Sequence, residues 1–352
     1  MREAISAMSD TTMIALPTID DVKIAARRIA AIAIETPLIE SPCLNRHLGG
    51  RLFVKAENLQ VTGSFKLRGA ANRIASLSAD EMARGVIARS SGNHGLAMAY
   101  CASLMGTSAV VVAPDTAPAT KVARIEACGA RIVQVPMARL SDTAIDLARR
   151  ENRVYVPPAD DFWVVAGAGT VGIEIAAQAA RAGVVIDVVL TCCSGGGLTA
   201  GCLLGLSDAS PATQVQAVEP VGFEKMGASL AAGRRIDLKP SGVSICDALT
   251  GVYMAEIPFE IVRPRLAGTI AVTDDEVREA MRIAFSEFGL AIEPGGAVAL
   301  AAVLAGRLKL EGRAVVATIS GRNVDLPLAA SVLAEANDLR PGDHGLSARR
   351  HA

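Results

Sequence analysis

Along this chain, short runs of β-branched residues alternate with longer stretches in which alanine and other apolar residues recur at helical spacing. Arg51 to Lys55, Val86 to Ala88, Ser108 to Ala113, Arg131 to Val135, Val185 to Leu190, Gln214 to Val218 and Ala314 to Ile319 are expected as strands. Strands that alternate with helices argue for parallel sheets wrapped by helices. Several of these strands run into Gly, Ser or Pro before a helix begins, and such ends are where ligands sit in open α/β sheets. No low-complexity linker cuts the chain and no repeat of fixed period is present, so two domains, if formed, are interleaved. Pro341-Gly342 breaks any helix near the end, and residues 1–13 and 341–352 are expected to be disordered.

The 352 residues are 51% hydrophobic and 3% aromatic, with a net charge of -1. That supports a large core and lacks the basic stripe and stacking platforms of a nucleic-acid binder. A small-molecule partner is expected, and no nucleic acid. There is no run of about 18 uncharged apolar residues, so no membrane span is expected. Met1 to Met13 shows no signal-peptide pattern, which points to a cytoplasmic protein. The seven cysteines (Cys43, Cys101, Cys128, Cys192, Cys193, Cys202 and Cys246) have no Cys-x-x-Cys spacing, as expected of buried, reduced thiols. Only His47 and His94 lie outside the tail, so a histidine-rich zinc site has no ligands to draw on.

Small-residue segments at the strand ends carry the candidate chemistry. Thr62-Gly63-Ser64-Phe65-Lys66 leads into a helical stretch from Leu67 to Leu77. The macrodipole disfavours a cation at a helix start, so a lysine there suits a neutral role, as a Schiff base or general base requires. An exposed first-turn lysine explains the segment alone equally well. Ser194-Gly195-Gly196-Gly197-Leu198-Thr199-Ala200-Gly201 follows an apolar strand and opens a helical run to Leu206. Its glycines let the backbone approach an anion, which first-turn N–H groups then bind. The spacing matches neither a Walker A loop nor a dinucleotide turn, and a tight structural turn is the alternative.

Ser90-Ser91-Gly92-Asn93-His94-Gly95 is another such turn, before a helix expected over Leu96 to Leu104. Its hydroxyls, amide and N–H groups can hold a carboxylate and a phenolic oxygen. His94 is expected as a packed, hydrogen-bonded supporting residue. Ile319-Ser320-Gly321-Arg322-Asn323-Val324-Asp325 brings a serine hydroxyl to a strand end.

Together and in this order, the segments resemble the fold-type-II pyridoxal-phosphate (PLP) family, which includes threonine and serine dehydratases, serine racemase and the cysteine-synthase group. The dehydratase branch is the nearest. The resemblance spans about Leu16 to Ala330. It is supported by Pro114-Asp115-Thr116-Ala117-Pro118 with Lys121, Ala166-Gly167-Ala168-Gly169-Thr170 with Glu174, Val218-Glu219-Pro220, and Glu293-Pro294-Gly295-Gly296-Ala297. It implies a tryptophan-synthase-β-like α/β fold of two open domains with mostly parallel sheets. The large PLP-binding domain would be residues 14–78 plus 157–335, with a small domain, 79–156, inserted in it. A homodimer is the family's habit.

The resemblance further implies that Lys66 bonds the cofactor and serves as base and acid at Cα, with Phe65 against the ring face. Asn93 would bond the ring hydroxyl, and Gly195, Gly196, Gly197 and Leu198 the phosphate. Ser320 would face the pyridine nitrogen. A hydroxyl cannot hold that nitrogen protonated as an aspartate would, so the ring is a restrained electron sink that favours loss of a β-substituent. Ser90, Ser91, Gly92, Asn93 and His94 would take the substrate carboxylate, and Ser91 stands where racemases of the family keep an opposite-face acid/base. The implied activity is β-elimination from a β-hydroxy L-amino acid, serine or threonine by default, to a 2-oxo acid and ammonia in a catabolic role. Cysteine-synthase-type β-replacement and a catalytically inactive PLP-binding protein are the alternatives.

The chain departs from the family's pattern at Ala159, Lys225 and Arg322. Ala159, within Pro157-Pro158-Ala159-Asp160-Asp161-Phe162-Trp163, replaces the aromatic of the His-Pro-Phe-Asp usual in threonine dehydratases. The added room would admit a bulkier substrate, such as 3-hydroxyaspartate, phenylserine or a hydroxyectoine-derived amino acid, unless Phe162 or Trp163 fills it. Lys225 stands where metal-dependent relatives carry an acidic ligand. An ion pair with Glu219 in place of a divalent cation is therefore expected, and no metal requirement. Arg322 replaces a glycine, either structurally or to recognise an extra carboxylate.

Overall fold

The computed structural model describes residues 14–90 and 92–335. Ser91 and the two termini expected to be disordered, 1–13 and 341–352, lie outside the described residues. Among the described residues ten strands form: β1 (Leu38–Glu40), β2 (Arg51–Ala56), β3 (Val86–Arg89), β4 (Ala109–Pro114), β5 (Arg131–Val135), β6 (Val154–Tyr155), β7 (Val188–Cys192), β8 (Gln214–Pro220), β9 (Gly268–Val272) and β10 (Ala314–Ile319). One sheet runs β1-β2-β10-β7-β8-β9 and the other β5-β4-β3-β6. Only β1 pairs antiparallel, with β2; the other pairings are parallel. The fold is thus α/β with mostly parallel sheets, and nearly every residue of β2, β7 and β10 is buried under helices.

Three strands fall outside the expected set. β1, β6 and β9 are edge strands of three, two and five residues with half-exposed side chains, so they lack the apolar run of a buried strand. β7 begins at Val188 rather than Val185, whose side chain is 81% exposed. Asp187 instead closes the start of β10, its N–H donating to Ala314 O at 2.8 Å and its Oδ2 accepting from Ala314 N at 2.8 Å.

The Ala166–Thr170 stretch, with its two glycines, lies inside a 20-residue helix, Phe162–Arg181. Its glycines serve helix crossing. A Cβ on Gly167 would stand 2.5 Å from Arg68 O, and one on Gly201 would stand 2.6 Å from Gly169 N. Only small residues let this helix touch the backbones of helices Lys66–Ile74 and Gly197–Leu206. The same helix is long and apolar enough to cross a membrane by length and composition, but Glu174 interrupts its apolar run and 67% of that stretch is buried in the fold. Its Glu174 bonds Lys55 at 2.6 Å and Arg68 at 2.5 Å, so the charge that interrupts the apolar run is paired inside the protein.

Candidate active site

A cleft of about 820 Å³ lies at the carboxyl ends of β3, β7 and β10, with Arg89, Cys192 and Ser320 on its wall. All the small-residue segments singled out above reach it. Parallel β2 and β10 carry the lysine turn and the serine turn out of the sheet side by side. Beyond the strands, Phe65 N–H donates to Ser320 O at 3.1 Å and Arg322 N–H to Gly63 O at 2.9 Å, which locks the two turns together.

Lys66 is the first residue of helix Lys66–Ile74, which ends three residues before the expected Leu77. Its Nζ donates to Pro158 O at 2.6 Å and stands 5.0 Å from the centre of the Phe65 ring. Burial pulls its pKa from 10.5 down to about 8, so a neutral amine is accessible near physiological pH. Two residues along, Arg68 is buried with Glu57 at 2.7 Å and Glu174 at 2.5 Å. These paired charges fix the helix that presents the lysine.

The glycine segment leaves β7 and turns at Gly196, whose φ of 90° favours glycine. A Cβ there would meet Met254 Cε at 2.6 Å, and one on Gly195 would meet Ala159 Cβ at 3.0 Å. No side chain caps the helix that follows, so the N–H groups of its first turn stay free for an anion. Ala159 therefore packs on this turn while lining the cleft. Phe162 and Trp163 do not fill the space beside it. Their rings meet edge to face at 4.8 Å, and Arg28 covers Trp163 at 4.9 Å.

In the third segment, Ser90 Oγ accepts from Gly92 N at 3.1 Å, and the helix begins at Asn93 rather than Leu96. Asn93 Nδ2 donates to Glu293 Oε1 at 2.6 Å, and Asn93 Oδ1 accepts from Asn323. Burial raises Glu293 from 4.5 to about 7, against the opposing effect of the Asn93 bond. A Cβ on Gly321 would stand 2.1 Å from Glu293 Oε1, so a side chain there would push the Glu293 carboxylate out of its place. His94 donates from Nε2 to Val156 O at 3.0 Å. Burial, then the nearby Lys66 charge, hold its pKa down to about 3, so it is a neutral packed residue as expected.

Below the glycine turn, Lys225 Nζ lies 3.3 Å from Glu219 Oε1 and 3.1 to 3.3 Å from the carbonyl oxygens of Cys193, Phe223 and Leu249. The anticipated ion pair forms, with the ammonium in a cage of oxygens. Arg322 does not line the cleft; its Nη1 donates to the Asn58 carbonyl, so of its two expected roles the structural one is seen.

Residues 29–321 match the family described as pyridoxal-phosphate dependent enzyme. The chain belongs to that family. It is 34% identical over 324 residues to a serine racemase of Dictyostelium discoideum, covering 90% of this chain and 98% of that protein. It is 33% identical over 320 residues to an L-threonine ammonia-lyase of Thermotoga maritima, covering 90% and 78%. The solved structure of maize serine racemase superposes with a TM-score of 0.84 at 31% identity, covering 91% and 98%. The chain is a fold-type-II PLP enzyme of the threonine/serine dehydratase branch, related to serine racemase.

The residues present fit PLP. A lysine with a lowered pKa would bond its aldehyde carbon, and an uncapped glycine turn, too tight for a Cβ at Gly195 or Gly196, would take its phosphate. Phe65, Asn93 and Ser320 line the same cleft and would meet the ring face, hydroxyl and nitrogen. Sequence reasoning passes over three wall residues. Glu293 is visible only as part of a Glu-Pro-Gly-Gly-Ala motif, although an acidic residue directly before a proline-started helix is a usable signal. Cys192, whose thiol burial pushes up, rests against the Ser320 hydroxyl. Arg89 lies one residue beyond the expected strand Val86 to Ala88 and ends the observed β3, with nothing in the local pattern to mark it.

Proposed function

We propose that this chain is a PLP-dependent ammonia-lyase that removes water from a β-hydroxy L-amino acid and releases a 2-oxo acid and ammonia. The observation that carries the reading is Lys66, its pKa lowered to about 8, in one cleft with the glycine turn and the Ser90–His94 turn. PLP, when bound, supplies an electron sink that acidifies the α-proton. Lys66, freed by the incoming amine, would take that proton and later return one. N–H groups and hydroxyls of the Ser90–His94 turn would seat the α-carboxylate. Ser320 offers a hydroxyl where a carboxylate would keep the sink strong, which supports expulsion of the β-hydroxyl as water. The released enamine tautomerises and hydrolyses in water.

The test is 2-oxo acid release from L-serine, L-threonine and bulkier β-hydroxy amino acids, alongside Lys66→Ala. Release by the native protein and none by the variant is expected; no release from any substrate would end the reading. Similarity to serine racemases supports a second activity, inversion at Cα with Ser91 as the opposite-face acid/base. Recovered substrate would then carry solvent deuterium and mixed chirality, and substrate returned without either rules inversion out.

A further inference from the structure

Among the described residues, Arg89 is the cation lining the cleft that has neither a carboxylate partner nor a part in the proposed elimination. Arg89 is the last residue of β3, directly before the turn proposed to seat the α-carboxylate. Its half-buried side chain faces the cleft. Nη1 donates to Ser141 Oγ at 2.9 Å and Nη2 to Tyr253 Oη at 2.6 Å, and the Tyr155 hydroxyl also lies against it. All these partners are neutral. Among the described residues no carboxylate pairs with this guanidinium.

The other charges on the wall are already engaged. Lys121 pairs with Asp247 at 3.0 Å, and Asp161 with Arg73 at 3.0 Å. Asp160 accepts from Ile257 N at 2.9 Å, and Glu293 from Asn93 at 2.6 Å. Lys66 is reserved for the cofactor. A guanidinium half removed from water without an anion is costly to hold. A hydroxyl that accepts from arginine keeps its own proton to donate. Tyr155 and Tyr253, which line the cleft, therefore extend the donor array of Arg89 into it rather than neutralise it, while Ser141 holds the guanidinium from outside the lining. Such a cluster has donors to spare and no negative charge, which is the complement of a carboxylate.

We propose that Arg89, with the Tyr155 and Tyr253 hydroxyls, forms a subsite for a second carboxylate on the substrate, making a β-hydroxy amino dicarboxylate the preferred substrate. The proposal rests on the elimination reading and narrows its substrate class. Arg89 directly precedes that turn in the chain and lines the same cleft, so a substrate seated by the turn could reach the guanidinium with a second carboxylate. The chemistry is unchanged and balances without any redox partner. The Cα–H and Cβ–O bonds break, water leaves, the enamine becomes an imine, and one water returns to release ammonia and a 2-oxo dicarboxylate. The extra room beside Ala159 is compatible with the longer substrate.

The test compares the holoenzyme with Arg89→Met and Arg89→Lys. Substrate preference is the ratio of kcat/KM for 3-hydroxyaspartate to that for L-serine. Binding preference is malonate against acetate, measured by calorimetry. The native ratio should favour the dicarboxylate, and Arg89→Met should lower it by about 100-fold, with Arg89→Lys in between, as for loss of a charge-assisted bidentate contact. Malonate should bind the native holoenzyme more tightly than acetate and lose that advantage in Arg89→Met. Equal binding of malonate and acetate by the native protein, or a preference that survives in Arg89→Met, overturns the subsite. If no β-hydroxy amino acid is turned over, the elimination reading fails, and malonate binding still decides on Arg89 separately. Should Arg89→Met not fold, the native malonate-to-acetate comparison and Arg89→Lys carry the decision.

Discussion

Asn93 Nδ2 and Glu293 Oε1, 200 positions apart in sequence, meet at 2.6 Å on the cleft wall. The bond ties the turn after β3 to the start of helix Pro294–Leu304, which lies between β9 and β10, so the two sides of the cleft share a titrating group. Glu293 is raised by burial from 4.5 to about 7. A carboxyl with a raised folded pKa holds a proton that the unfolded chain has released. Its contribution is complete below about pH 4.5 and is lost as pH rises through 7. The full span is on the order of 3 kcal/mol. Glu293→Gln cannot titrate, so the melting temperature of the cofactor-free variant should depend less on pH between 4.5 and 7.5 than that of the native protein. Parallel slopes for the two proteins would count against this account.

Lys66 titrates with the opposite sign. Its folded pKa of about 8 lies below the ordinary 10.5, so stability is complete above about pH 10.5 and falls as pH drops through 8. Lys66→Met should therefore stabilise the cofactor-free protein at pH 7, by roughly 2 kcal/mol once cleft water is allowed for. The gain should vanish towards pH 10.5 while 2-oxo acid release is abolished. Denaturant midpoints at the two pH values measure the first effect. A variant that is less stable at pH 7 would show that the buried amine is not under strain.

The buried apolar strands and the glycine-marked turns are legible because each is a local signal, and β10 matches its expected bounds residue for residue; β5, although an edge strand, is legible too because its Arg-Ile-Val-Gln-Val run is rich in β-branched residues. Edge strands β1, β6 and β9 are not, since an edge needs no continuous apolar run. The glycines at 167 and 169 show that a glycine cluster marks close backbone approach without saying whether a turn or a helix crossing causes it. Lys66, Asn93 and Ser320 are identified through motifs. Glu293 and Arg89 escape because their roles arise from pairing, or the lack of it, across the cleft, which spacing along the chain does not encode.

Gly196 tests the phosphate cradle. A Cβ there is disfavoured twice, by a φ of 90° and by Met254 Cε at 2.6 Å. Gly196→Ala should keep the fold, with a cost of about 1–3 kcal/mol for the strained residue, and should weaken cofactor affinity at least tenfold. Equilibrium dialysis of PLP against the apoprotein checks it, with Gly233→Ala as a comparison, because that positive-φ glycine has no neighbour within 4 Å. Equal loss in both variants would mean that backbone strain alone, and not the cradle, controls affinity.

Lys225 closes the same cradle from below, because one of its acceptors is the carbonyl of Cys193, directly before Ser194 and the glycines. Glu219 opposite is itself pushed up by burial, with Lys225 the largest opposing influence. Lys225→Met keeps most of the stem but removes the ammonium, leaving a buried carboxylate and three carbonyls facing no cation. Breaking such a pair costs about 3–5 kcal/mol, and the loss should be smaller at pH 5 than at pH 8, since protonation of Glu219 relieves it. Lys225→Gly instead opens the oxygen cage, so added magnesium or potassium should raise its melting temperature while leaving that of the native protein unchanged. Native activity should also withstand a chelator, because a tethered ammonium already occupies the position a cation would take. Strong chelator inhibition of the native enzyme, or no cation response in Lys225→Gly, would show that the lysine does not substitute for a metal.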